Sequence, residues 1–159
     1  MSDDGKLLVA GGSHNYTGID FEGTLMAFKN DRWYNFPDDD IQEKTKLKYV
    51  NITSVVEDPE VPEHYYASSF GHGIYEFRDG KFENLLSYDN SPLSTILPNN
   101  PRPQEFVRVN GLQYDKDGNL WMLNTEVDTI IRIRKKDGTW KGMYYKPISG
   151  LSFFKQFTF

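Results

Sequence analysis

Ile74-Tyr-Glu-Phe-Arg-Asp-Gly-Lys-Phe-Glu-Asn-Leu85 decides the fold. Two β-prone runs flank the pair Asp79-Gly80, and a two-residue turn between such runs is the strongest short-range hairpin signal. The type I′ geometry of that turn needs positive φ at both central residues, which Gly adopts freely and Asn or Asp at small cost. The stretch therefore reads as strand, tight turn, strand. The same form recurs in Leu25-Met-Ala-Phe-Lys-Asn-Asp-Arg-Trp-Tyr-Asn-Phe36, around Asn30-Asp31. It recurs again in Ile131-Arg-Ile-Arg-Lys-Lys-Asp-Gly-Thr-Trp-Lys-Gly-Met-Tyr144, around Asp137-Gly138. An aromatic residue follows each turn: Trp33, Phe82 and Trp140.

Working outward, a strand ending in small residues precedes each hairpin: Asp4-Gly-Lys-Leu-Leu-Val-Ala-Gly-Gly12, His64-Tyr-Tyr-Ala-Ser-Ser-Phe-Gly71 and Asp117-Gly-Asn-Leu-Trp-Met-Leu-Asn-Thr125. Ahead of the second and third copies lies a further β-prone run, Val50–Glu57 and Arg108–Asp115. The recurring unit is thus four antiparallel strands, and the aromatic markers, 49 and 58 residues apart, fall near the repeat length of propeller blades. The expected fold is all-β, a partial β-propeller of about three four-stranded blades whose first blade lacks its innermost strand. Residues 1–148 hold the blades (1–37 partial, 50–88 and 107–145 complete), and 149–159 form an apolar tail. The strands are expected near 6–12, 24–29 and 32–37; 50–57, 64–70, 73–78 and 81–88; 107–115, 119–125, 129–135 and 139–145. Residues 39–49 contain good helix formers without a 3.6-residue apolar face and read as a loop with one helical turn. The prolines at 92, 98, 101 and 103 mark the other long connection.

Asp115, Gly118, Leu120, Trp121 and Thr125, with Asp58, Gly71, Gly73 and Ile74 in the second copy, resemble the two-component regulator propeller repeat. Tyr66 stands where that repeat has Trp, and Glu126-Val-Asp-Thr129 where it has Gly-Leu. The resemblance implies the periplasmic sensor part of a hybrid two-component histidine kinase, a non-catalytic ligand-sensing module whose kinase would lie outside this chain. Similar repeats in accessory propellers of type IX secretion imply the alternative, a structural or assembly module that binds protein or polysaccharide. Either way it implies a periplasmic or cell-surface location. The repeat positions Leu8, Trp33, Tyr66, Phe82, Trp121 and Trp140 read as structural.

Composition narrows the classes. The 159 residues are 15% aromatic, with 11 Phe, 10 Tyr and 3 Trp, too much apolar surface for a chain that stays unfolded. There is no Cys, hence no disulfide framework, thiolate metal site or thiol nucleophile. A net charge of -5 argues against duplex nucleic acid. No apolar run approaches the roughly 20 residues that span a bilayer, and the amino terminus lacks the pattern of a signal peptide.

No motif calls for catalysis, a cofactor or a metal. His14, His64 and His72 lack metal-ligand spacing, and Asp115-Lys-Asp-Gly-Asn119 reads as a hairpin turn rather than a calcium loop because Leu120 occupies the position that needs Gly. The long loop with His14, Asn15 and Tyr16, together with His72 in the equivalent short loop, is the expected ligand-binding face. Tyr16, Tyr65 and Trp33 are the aromatics that could stack on a glycan. Propellers have roughly four to eight blades, so about three leave two blade faces uncovered. The expected cover is either the remainder of a larger propeller or a second copy giving about six blades. Phe153, Phe154, Phe157 and Phe159 make the tail the candidate exchanged strand, filling the vacant innermost position in a homodimer.

Overall fold

The computed structural model describes residues 5–12, 20–37 and 39–151. Its turns explain its strands. Asn30 and Asp31 lie at φ 52° and 59°, Asp79 and Gly80 at 50° and 72°, so both pairs take the type I′ hairpin read from the sequence. The third pair differs. Only Gly138 has positive φ, 82°, and its N–H donates to the Lys135 carbonyl while Lys135 N–H donates to that of Thr139. This is a type I turn closed by a left-handed glycine, which lets Lys136 and Asp137 keep ordinary right-handed geometry.

Around these turns the described residues form eleven strands. The first sheet is β1 (Leu7–Gly11), β2 (Thr24–Lys29) and β3 (Arg32–Asn35), in that spatial order. Helix α1 (Ile41–Thr45), a little over one turn, follows, and its end is marked by Lys46 in the left-handed conformation at φ 62°. The second sheet is β4 (Ile52–Glu57), β5 (His64–Gly71), β6 (Gly73–Arg78) and β7 (Lys81–Leu86), each antiparallel to the next. A 3-10 turn at Pro103–Phe106 leads into the third: β8 (Val107–Tyr114), β9 (Leu120–Asn124), β10 (Ile131–Arg134) and β11 (Trp140–Met143). The described residues make an all-β architecture of antiparallel sheets, with no barrel closed among them. The second and third sheets meet where Phe70 and Gly71 pair with Arg108 and Val107 and His72 bridges to Val107, and Thr53 and Ser54 add hydrogen bonds to Val109 and Leu112.

Every residue of β5 is buried, which follows from its place in a sheet covered on both faces. Alternate side chains go opposite ways. Tyr65 and Ala67 enter a core with Leu25, Tyr49, Ile52, Tyr75 and Phe77, against which Leu8 and Ala10 of the first sheet pack. Tyr66 enters a second core with Ile74, Val107, Val109, Leu120 and Met122, flanked by Trp140. Burying each such large side chain is worth about 1.5–3 kcal/mol, so the two faces of one sheet hold the three sheets together. Edge-to-face contacts order the first core: Phe36 lies 4.8 Å from Tyr65 and Tyr49 4.9 Å from Tyr75, centroid to centroid. The outermost strands are the least covered, β3 being exposed throughout.

A buried cation ties the first sheet to the second. Lys6 Nζ donates to Glu57 Oε1 at 2.8 Å, Glu63 Oε1 at 2.9 Å and Tyr65 Oη at 2.7 Å, with the lysine only 2% exposed. Burial pushes its pKa down, and the hydrogen bonds from Glu57, Tyr65 and Glu63 more than reverse this, holding it above the ordinary lysine value. Among the described residues no helix is long and apolar enough to cross a membrane.

Candidate functional site

Where strands end, the connections α1, the β5–β6 loop and the 3-10 turn converge on a cleft of about 510 Å³. It is lined by Asp20, Gln42, Lys46, Leu47, Lys48, Asn51, Phe70, Gly71, His72, Arg102, Glu105, Phe106 and Arg108. Four cationic side chains thus face two carboxylates, in a chain whose net charge is -5. Lys46, Lys48 and Arg102 are exposed. Arg108 lies over the Phe70 ring, 4.8 Å from its centroid, and its guanidinium donates to Glu126.

His72 forms part of the wall of this cleft rather than an exposed contact. It is 6% exposed, its Nδ1–H donates to Tyr75 Oη at 2.9 Å, and Tyr75 Oη–H donates to the Lys48 carbonyl at 3.1 Å. Burial pushes the imidazole pKa down, against the pull of the Glu105 and Asp20 charges. Asn51, with φ 57°, braces the near side: its Nδ2–H donates to Asp20 Oδ1 at 2.8 Å and its Oδ1 accepts from Phe21 N–H at 3.1 Å. His14, Asn15 and Tyr16 lie outside the described residues, and Asp20 is the first described residue after them. Phe153, Phe154, Phe157 and Phe159 also lie outside. Among the described residues the lining is dominated by charged side chains, four cationic and two anionic.

A second polar cluster arises from strand register. His64 Nε2–H donates to Glu76 Oε1 at 2.7 Å, Tyr66 Oη–H donates to the same oxygen at 2.9 Å, and His64 Nδ1 lies 3.4 Å from Asp58 Oδ2. His64, Glu76 and Glu83 bring potential metal-ligating atoms within 4.8 Å of one another. The Arg78 guanidinium already supplies a positive charge there, donating from Nε to Glu83 at 2.9 Å and approaching His64 Nε2 at 3.4 Å. The grouping serves as an ion-pair network, and burial pushes the Tyr66 hydroxyl pKa up. No sequence spacing announces it, because β5, β6 and β7 bring its members together across the sheet.

The repeat residues take distinct places. Leu8 packs against the first core, Phe82 lies within it, Tyr66 within the second, and Trp140 against the second. Trp33 remains 54% exposed, its ring 5.1 Å from that of Phe28. Tyr65, read as a glycan-stacking surface, is fully buried instead, because the strand alternation turns it into the first core and its hydroxyl donates to Glu63.

An antiparallel all-β architecture with a charged cleft at the strand ends is the class these observations define. No protein-family model matches the chain, and none of the curated proteins compared with it matches. A solved structure does: PorZ, an essential surface component of the type IX secretion system of the oral bacterium Porphyromonas gingivalis, superposes with a TM-score of 0.80 at 24% identity. The match covers 93% of this chain and 19% of PorZ, so the chain spans about a fifth of that protein's length. The likeness is one of fold.

Proposed function

We propose that this chain is a non-catalytic β-propeller module of three antiparallel blades, the first lacking its innermost strand, with a structural or assembly role at the cell surface. The supporting observation is the superposition on PorZ over 93% of the chain, a protein described as a surface component of a secretion system. No observation favours a signalling role over an assembly role. Its binding surface is the cleft beside His72, where Lys46, Lys48, Arg102 and Arg108 outnumber Asp20 and Glu105. That balance favours an acidic segment of a partner, protein or polysaccharide, held by charge-assisted hydrogen bonds and drawn in by the local field.

Titration calorimetry with an acidic polysaccharide and with an acidic polypeptide tests this. Binding of one of them should weaken at least tenfold in the double variant Lys48→Glu, Arg102→Glu, and fall with added salt. Absence of binding to both, or equal binding by the variant, overturns the reading.

A further inference from the structure

Across the first sheet, residues directly opposite one another share a face. Leu8 faces Ala27 and Ala27 faces Tyr34, so one row runs Leu8, Ala27, Tyr34 on the side turned toward the second sheet. Its members are covered unequally: Leu8 packs against the first core and Ala27 is buried, but Tyr34 is 50% exposed. Trp33, its neighbour in the chain, turns to the opposite face beside Phe28. A gap therefore opens between the first two sheets at β3, and the small Ala27 side chain leaves it unfilled.

The gap is a cavity of about 570 Å³, inside the roughly 300–1,000 Å³ of small-molecule sites. Tyr34 and Phe36 line one side, the second half-buried and met edge-on by the rings of Tyr65 and Phe77. Two hairpin turns contribute Asn30 and Asp79-Gly80. Asp79 N–H donates to the Glu63 carbonyl at 2.9 Å, which fixes the turn of the second sheet at the rim. Gly80 keeps that rim open, since a Cβ on it would meet nothing within 4 Å. Glu63 Oε1 accepts from the buried Lys6 and lies 3.7 Å from Lys29 Nζ, so this carboxylate is held in place from two directions.

The lining chemistry selects the occupant. Lys6 and Lys29 balance Glu63 and Asp79, so this cavity, unlike the cleft beside His72, suits an uncharged ligand. Asn30 and Asn35 each offer an amide donor and a carbonyl acceptor, and Asp79 accepts, which matches hydroxyl groups that do both. The negative ring face of Tyr34 attracts weakly positive C–H groups. A hydrocarbon would satisfy the ring and strand the polar groups away from water, whereas an anion would meet Glu63 and Asp79. A pyranose ring carries both a face of C–H groups and a rim of hydroxyls.

We propose that this cavity binds one uncharged pyranose unit, stacked on Tyr34 and hydrogen-bonded by Asn30, Asn35 and Asp79. None of its lining residues belongs to the cleft, so the proposal stands or falls independently of the function proposed above. A free sugar and the terminal unit of a glycan present the same ring, and the choice of probes separates them.

Saturation-transfer NMR of the intact chain tests this with glucose, galactose, mannose and N-acetylglucosamine, each as the free sugar and as its methyl glycoside. At least one should bind; binding that survives in the glycoside marks a glycan end, and binding lost there marks a free sugar. Tyr34→Ala should weaken it about fivefold, while Tyr34→Phe, which keeps the ring face, should stay within about twofold of the native chain. Tyr34 lies on a strand exposed throughout, so neither change disturbs the cores. The cleft variant Lys48→Glu, Arg102→Glu should bind sugar as the native chain does. No signal from any probe, unchanged binding by Tyr34→Ala, or equal losses in Tyr34→Phe and Tyr34→Ala would overturn the proposal. Loss of sugar binding in the cleft variant would overturn it as well, by moving the sugar to the cleft.

Discussion

The Trp121 indole N–H donates to the Asp115 carboxylate at 2.8 Å, joining the residue that opens a turn to the one that follows it in β9. The same carboxylate accepts from Asp117 N–H and Asn119 N–H, both at 2.9 Å, and from Asn119 Nδ2–H. Burial pushes its pKa up, but the hydrogen bonds from Asn119, Trp121 and the turn backbone prevail and hold it down to about 2. The spacing Asp-x-x-Gly-x-Leu-Trp thus has a mechanical reason: Asp115 caps the turn, Gly118 at φ 79° closes it, Leu120 enters the second core and Trp121 ties back.

Asp115→Asn should therefore cost about 1–2 kcal/mol at neutral pH, the scale of lost hydrogen bonds to a charged group. The folded-state pKa lies below the ordinary Asp value of about 3.9, so the carboxylate's contribution is present above pH about 4 and lost as pH falls through about 2. Urea unfolding of both proteins should show curves that differ at pH 7 and converge near pH 2.

His72 gives an opposite-charge case with the same sign. Its folded pKa is depressed by burial, so the unfolded state binds the proton better, and stability is full above the ordinary value of about 6.5 and declines as pH falls below it. Thermal melts from pH 7 to pH 5 should show a steeper loss in the native chain than in His72→Gln. Parallel slopes would remove His72 as the source.

Lys6→Met should destabilise by about 2–3 kcal/mol, toward the low end for a broken buried pair, because Glu63 is 45% exposed and can rehydrate while Glu57 cannot. Chemical denaturation measures the loss, and the double variant Lys6→Met, Glu57→Gln should recover part of it.

Two glycines in one hairpin should respond differently to alanine. Gly73 has φ 105° and an added Cβ would lie 2.2 Å from the Leu86 carbonyl oxygen, whereas Gly80 has φ 72° and open space. Gly73→Ala should cost more than about 2 kcal/mol and Gly80→Ala about 1 kcal/mol, since only backbone strain acts on the second. Equal losses by denaturation would contradict the close approach.

Strand positions were legible because turn chemistry is local. β6 occupies 73–78 as read, β8 begins at Val107 as read, and even β10, read as 129–135, keeps its centre at Ile131–Arg134. The single helical turn in 39–49 was also visible, since its helix formers lack an apolar face. The cleft was legible only through His72, and there as a contact rather than a wall, because Lys48 and Arg102 come from two connections and Arg108 from the start of β8, which no sequence period relates. The Lys6 and His64 networks carried no sequence signal either: the first is made where the first sheet packs on the second, and the other by cross-strand neighbours on β5, β6 and β7. Asp137-Gly138 looked like Asp79-Gly80 in sequence, yet the two-residue turn formed only at the latter, where β6 and β7 meet in the tighter register.

The account rests on the cleft beside His72 recognising an acidic partner through Lys46, Lys48, Arg102 and Arg108. Titration calorimetry of the intact chain with an acidic polypeptide and with an acidic polysaccharide tests that most directly. Binding of one of them that weakens as salt is added is the predicted result, and no binding of either would contradict it.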